Sequence, residues 1–87
     1  MKAIFSPLAE KQLKKLSKIT QIIIAKKVRQ LRDEIYSNIQ ALTGYKGIYR
    51  VRIGDYRLVL RKYPNKIYFI LVGHRKNNYL LAKKLLG

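Results

Sequence analysis

From Ile48 to Leu60 apolar and polar residues alternate in two runs, Ile48-Tyr49-Arg50-Val51-Arg52-Ile53 and Tyr56-Arg57-Leu58-Val59-Leu60, with Gly54-Asp55 between them. A period of two marks a half-buried strand, and Gly-Asp between two such runs closes a tight hairpin. A two-residue loop pairs Ile53 with Tyr56, Arg52 with Arg57 and Arg50 with Val59. Successive side chains leave opposite faces of a strand, so Arg50, Arg52 and Arg57 share one face while Tyr49, Val51, Ile53 and Leu58 share the other. Like charges set directly opposite one another cost roughly 0.2–1 kcal/mol per pair. Arginine facing arginine therefore points to a polyanionic ligand.

Elsewhere the pattern predicts a short first strand, Lys2 to Phe5, and then Ser6-Pro7 as an N-cap followed by proline at the first helical position. The helix that follows places Ala9, Leu13 and Leu16 on one face. Ser17 to Thr20 reads as a turn, with Thr20 capping a second helix from about Gln21 to Ser37. There Ile24, Val28, Leu31 and Ile35 make a single apolar stripe. Asn38 to Gly47, with Gly44 and Gly47 as breakers, reads as a connector. Past the turn Tyr63-Pro64-Asn65-Lys66 comes the strand Ile67-Tyr68-Phe69-Ile70-Leu71-Val72, apolar on both faces as a covered strand is. If Pro64-Asn65 closes this turn, Val72 pairs with Arg57 and His74 falls on the arginine face; a bulge breaks that parity. Asn77-Asn78 is placed to cap a last helix, Tyr79 to Leu86. The expected fold class is α+β, in the order β-α-α-β-β-β-α, with a helical hairpin packed on a small, mostly antiparallel sheet.

Composition narrows the choices. Eighty-seven residues hold one domain, 1–87, with one core. Twenty Lys and Arg against four acids give a net charge of +16, which biases the partner towards nucleic acid or another anionic surface. The chain has no cysteine, one histidine and four scattered carboxylates, so neither a disulfide, nor a metal site, nor a cofactor is expected. No apolar run approaches the ~20 residues of a membrane span, and no signal peptide is evident; the expected location is the cytoplasm.

The candidate chemistry gathers on the hairpin and just beyond it. A guanidinium offers a planar fork of donors suited to phosphate. His74, the only histidine, precedes Arg75 and Lys76 and is suited to proton transfer if it joins the arginine face. Of the seven tyrosines, Tyr49 and Tyr56 fall on the core side by parity. Tyr68 shares the arginine face. Tyr45 and Tyr79 flank it, placed either to stack on a base, to donate a proton, or simply to pack.

The pattern Leu42-x-Gly44-x-x-x-x-Tyr49-Arg50-Val51-Arg52-Ile53-Gly54-Asp55-Tyr56-Arg57, followed by Gly73-His74-Arg75-Lys76-x-x-Tyr79, resembles the RelE/ParE toxin superfamily in length and element order over the whole chain. The resemblance implies a RelE-like microbial RNase fold and a toxin of a type II toxin–antitoxin pair, neutralised by a small, acidic, RelB-like antitoxin. Its RelE-like branch implies a ribosome-dependent endoribonuclease acting on mRNA; its ParE-like branch implies inhibition of DNA gyrase without RNA cleavage. A non-catalytic RNA-binding module is the third alternative.

In the preferred, RelE-like reading the RNA 2′-hydroxyl attacks the adjacent phosphorus without a metal, leaving a 2′,3′-cyclic phosphate and a 5′-hydroxyl. The family's basic residues on the first hairpin strand correspond to Arg50 and Arg52, that on the second strand to Arg57, and that after the last strand to Arg75. Some relatives carry lysines on the first hairpin strand; arginine effectively does not lose its proton, so Arg50 and Arg52 are charge stabilisers rather than bases. The expected catalytic set is Arg52, Arg57, His74, Arg75 and Tyr79, with His74 or Tyr79 as general acid or base. Arg50, Tyr45, Lys46, Arg61 and Lys76 are expected to bind RNA. The partners expected are the antitoxin, the ribosome and mRNA, with no membrane.

Overall fold

A computed structural model describes residues 1–74 and 84–86. β1 (Lys2–Phe5) leads into α1 (Pro7–Lys14) and α2 (Lys18–Arg32), followed by β2 (Ile39–Ala41), β3 (Ile48–Ile53), β4 (Tyr56–Lys62) and β5 (Lys66–His74). The strands form one sheet in the order β1-β5-β4-β3-β2, antiparallel except for the β1–β5 pair. Residues 84–86 are helical, and the remainder of the expected last helix lies outside the described residues. No described helix is long and apolar enough to cross a membrane.

Ser6 ends β1 and caps α1. Its hydroxyl accepts the Ala9 N–H at 3.0 Å and donates to the Ile70 carbonyl at 2.6 Å, while its own N–H donates to the Phe69 carbonyl at 2.9 Å. Two residues further along β5, the Val72 N–H donates to the Gln12 side chain at 2.8 Å. Beyond Phe69, where β1 stops pairing, side chains of the α1 segment thus take over the β5 edge, and backbone groups that would otherwise stay unsatisfied are bonded.

The helical hairpin is displaced from its expected limits. Ser17, not Thr20, is the N-cap of α2: its hydroxyl accepts the Thr20 N–H at 3.2 Å, so the helix starts three residues earlier. It also stops earlier than Ser37. Glu34 takes a left-handed φ of +63°, and the Ile35 and Glu34 N–H groups fold back onto the Gln30 and Leu31 carbonyls. That is a Schellman ending with glutamate where glycine is usual. Ile35 therefore leaves the stripe and is 52% exposed, and Tyr36 packs on the core instead.

The helix-side core joins Ala9, Ile24 and Leu31 to Val51, Leu58, Leu60, Ile67, Phe69 and Val72, all buried. Phe5 stacks on Phe69, its register partner, with ring centroids 4.7 Å apart. The connector 38–47 contains a strand: Ile39–Ala41 pairs with β3, opposing Gln40 to Arg50. Three residues between turn signals carry too little periodicity to announce it.

Candidate nucleic-acid interface

The β3–β4 hairpin has the register its sequence predicts, with Ile53 opposite Tyr56, Arg52 opposite Arg57 and Arg50 opposite Val59. Gly54 supplies the positive φ, +58°, that the first loop position of a II′-type turn requires. The face opposite the α2 side carries three cross-strand rows. Nearest the hairpin tip are Arg52, Arg57 and Gly73; next come Gln40, Arg50, Val59 and Leu71; then Ile48, Arg61 and Tyr68. Arg50, Arg52 and Arg57 thus occupy adjacent rows of one surface, with Arg61 and Tyr68 continuing it.

Arg52 is exposed, while Arg50 and Arg57 are half-buried. The Arg50 guanidinium donates to the Gln40 side-chain oxygen, which fixes it over the sheet. Burial first, and then the charges of Arg57 and Arg52, push Arg50 below the ordinary guanidinium range. The sign records three cations close enough to repel one another, with only partial access to water. An anion placed among them would relieve both the repulsion and the lost hydration.

Beside the arginines the same face holds a small apolar cluster. Ile48, Val59 and Leu71 are buried, and Leu42, Tyr45, Ile70 and Leu86 pack around them. Tyr45 is thus seated on the arginine side of the sheet as part of this cluster. Lys46 is exposed beside it in the β2–β3 connection, between Gly44 and Gly47 with φ of +86° and +76°.

His74 does not join the arginines. The turn closes on Pro64-Asn65 as expected, with the Tyr63 N–H donating to the Lys66 carbonyl at 2.9 Å. Lys62 pairs with Ile67 and Leu60 with Phe69, the register that would have set Val72 opposite Arg57. A bulge then intervenes: Val59 pairs with Leu71, leaving Ile70 as the extra residue, and every later partner shifts by one. Arg57 consequently faces Gly73, Val72 faces Leu58 in the core, and His74 faces Tyr56 on the opposite parity from the arginines. The His74 and Tyr56 rings meet edge to face, with centroids 5.9 Å apart.

Arg75, Lys76 and Tyr79 lie outside the described residues. The sequence reading missed Gln40, which orients Arg50 but sits on the unrecognised strand β2. It also missed the Ser6 hydroxyl's second bond, to the bulged Ile70. No local pattern announces a contact between positions 64 residues apart.

A sheet of this order flanked by a helical hairpin is the fold of RelE-like toxins. Its solved counterparts include the RelB–RelE antitoxin–toxin complex from Methanococcus jannaschii, with a TM-score of 0.77 and 24% identity over 90% of this chain and 96% of that one. The isolated Escherichia coli RelE toxin gives a TM-score of 0.74 and 23% identity over 99% and 98%. The Staphylococcus aureus YoeB dimer gives 0.74 and 19% identity over 86% and 97%. At such identities the likeness is one of fold. No curated protein sequence matches the chain. The family model of the ParE toxin of the type II toxin–antitoxin system, parDE, matches residues 3–79, and the chain belongs to that toxin family within the RelE/ParE superfamily.

Proposed function

We propose that this toxin is a ribosome-dependent, metal-independent mRNA endoribonuclease of the cytoplasm. The observation that carries the reading is the convergence of Arg50, Arg52 and Arg57 on one sheet face, near enough to depress the Arg50 guanidinium. In the reaction the 2′-oxygen bonds to phosphorus, the P–O5′ bond breaks, the 2′ proton is lost, and O5′ gains one. Negative charge builds on the non-bridging oxygens, where fixed donors act without having to reorganise. Arg52 and Arg57 fill that role, Arg50 and Arg75 hold the flanking backbone, and Lys46, Arg61 and Lys76 extend the track. Tyr45 stacks beside the scissile phosphate.

With His74 on the parity opposite the arginines, the proton-transfer role in this reading is assigned to Tyr79 of the C-terminal motif. A site so poor in acid–base groups is slow on free RNA, and the ribosome supplies the orientation it lacks.

The partner that silences it is an acidic antitoxin. RelB accompanies RelE in the solved M. jannaschii and E. coli complexes. On this chain the exposed Ile22 of α2 lines an apolar groove of about 430 Å³ together with Phe5, Leu13 and Val28. An amphipathic, acidic helix suits that groove and the positive surface around it.

Inhibition of DNA gyrase is the competing reading, favoured by the family model that matches the chain. A translating extract separates the two. The nuclease reading expects mRNA breaks that require ribosomes and carry 5′-hydroxyl ends. Intact transcripts, together with arrested gyrase supercoiling, establish the other.

A further inference from the structure

Between α2 and the tip of the β3–β4 hairpin lies a cleft of about 270 Å³, lined by Lys26, Lys27, Gln30, Asn38, Arg52 and Gly54, with Ile23 and Ile53 completing its wall. Its polar side chains are all cations or amides. Lys27 is 8% exposed, and its ammonium donates to the Ser37 carbonyl at 2.7 Å and to the Ser37 hydroxyl at 2.8 Å. An ammonium has three N–H donors; the third has no acceptor among the described residues.

Nor does a carboxylate balance this charge. The chain's four acidic side chains are Glu10, Asp33, Glu34 and Asp55, and the ion pair found among the described residues joins Glu10 to Lys14. Burying an ammonium against neutral acceptors alone costs free energy that an incoming anion restores. Asn38 stands at the mouth with a left-handed φ of +58°, and its carbonyl accepts the Arg52 N–H at 3.3 Å, tying the wall of the cleft to β3.

We propose that this cleft binds one phosphodiester group of an RNA strand, with Lys27 as the buried anchor, Lys26 as the rim cation and the Gln30 and Asn38 amides as neutral donors. Arg52 belongs both to the cleft and to the arginine face. A strand held across Arg50 and Arg57 therefore continues past Arg52, around the hairpin tip, to Lys27. The identity of that strand rests on the RNA reading of the arginine face; the anion requirement of the cleft does not. Apart from Arg52, which the two share, the cleft lies away from the hairpin face where cleavage is placed, and Lys27 and Lys26 set strand direction and register rather than the chemistry.

The test uses the full chain, labelled with ¹⁵N and titrated with dimethyl phosphate and, at matched ionic strength, with acetate. Saturable shifts of the Asn38 and Gly54 amides with dimethyl phosphate are expected, with acetate clearly weaker. Lys27→Met and Lys26→Gln should each weaken the phosphodiester by about tenfold, the scale of one charged hydrogen bond. Lys26 is exposed, so its variant keeps the test open if Lys27→Met fails to fold. Shifts that never saturate, or variants that bind as wild type does, overturn the proposal. Equal or tighter binding of acetate also overturns it and assigns the cleft to an acidic side chain of a protein partner. None of these readouts needs ribosomes or cleavage, so a failure of the nuclease reading would be seen separately in the translating extract.

Discussion

His74 stands edge-on to Tyr56, its partner across the β4–β5 ladder, with ring centroids 5.9 Å apart and planes at 81°. This pairing is a packing relationship on the parity opposite Arg52 and Arg57. His74→Ala should therefore lower stability by about 0.5–1.5 kcal/mol, the scale of an aromatic pair, and leave mRNA cleavage within about threefold of wild type, far from the losses that follow removal of a proton-transfer group. Urea unfolding and cleavage measured on the same preparation check both halves; a hundredfold loss of cleavage would return His74 to the site.

Arg50 carries the pH argument. Its guanidinium is pushed down by burial and by Arg57 and Arg52, so the folded state is disfavoured wherever that group is charged. The penalty is complete throughout neutral pH and is relieved only as pH rises through the lowered folded-state value towards the unfolded one, because arginine keeps its proton in the physiological range. RNA affinity should thus be flat from about pH 6 to pH 9, as recognition by arginine and lysine without histidine requires. Filter binding across that range checks this; a fall centred near the histidine range would contradict it.

Arg52 opposes Arg57 directly and is exposed. Arg52→Gln removes that repulsion and should stabilise the free protein by roughly 0.2–1 kcal/mol while weakening RNA binding. The slope of log K against log salt should become shallower by about 0.7, one phosphate contact on a single strand. Stability and affinity moving in opposite directions in one variant is the signature of a site kept for its ligand.

Ser6 bonds both to the Ala9 N–H and to the carbonyl of the bulged Ile70. Ser6→Ala leaves the two groups without that hydroxyl and should cost about 1–3 kcal/mol. Hydrogen exchange should quicken most at the amides around the bulge, where α1 no longer holds the β5 edge. Uniform quickening across the sheet would show that Ser6 does not act on the bulge in particular.

Glu34 ends α2 with φ of +63°. Glu34→Gly relieves the left-handed strain of a residue with a Cβ and should stabilise by about 0.5–1 kcal/mol, after the extra freedom of glycine in the unfolded chain is set against it. Thermal unfolding measures the gain.

What the sequence made legible was local. Alternation and Gly54-Asp55 placed Arg52 opposite Arg57; Ser6-Pro7 marked the start of α1; Pro64-Asn65 marked the last turn. Long-range terms decided the rest. The register from Lys62 to Leu60 follows the turn, but the bulge at Ile70 is stabilised by Ser6 from the far end of the sequence, and it alone carries His74 away from the arginines. The end of α2 at Glu34 was hidden because glutamate is not a usual left-handed residue. Nothing in the sequence sets Lys27 apart from the other cations of α2; its bonds to Ser37 arise only because α2 stops early and the chain turns back over it.

The most direct measurement is the rate of mRNA cleavage in a translating extract by wild type, Arg52→Ala, Arg57→Ala and the double variant. Each single change should slow cleavage by about a hundredfold, the scale of losing one preorganised charge donor. The double variant should lose less than the product, since both guanidinium groups serve the same phosphorane. Cleavage by Arg57→Ala at the wild-type rate, or transcripts left whole by the wild-type protein, would contradict the account.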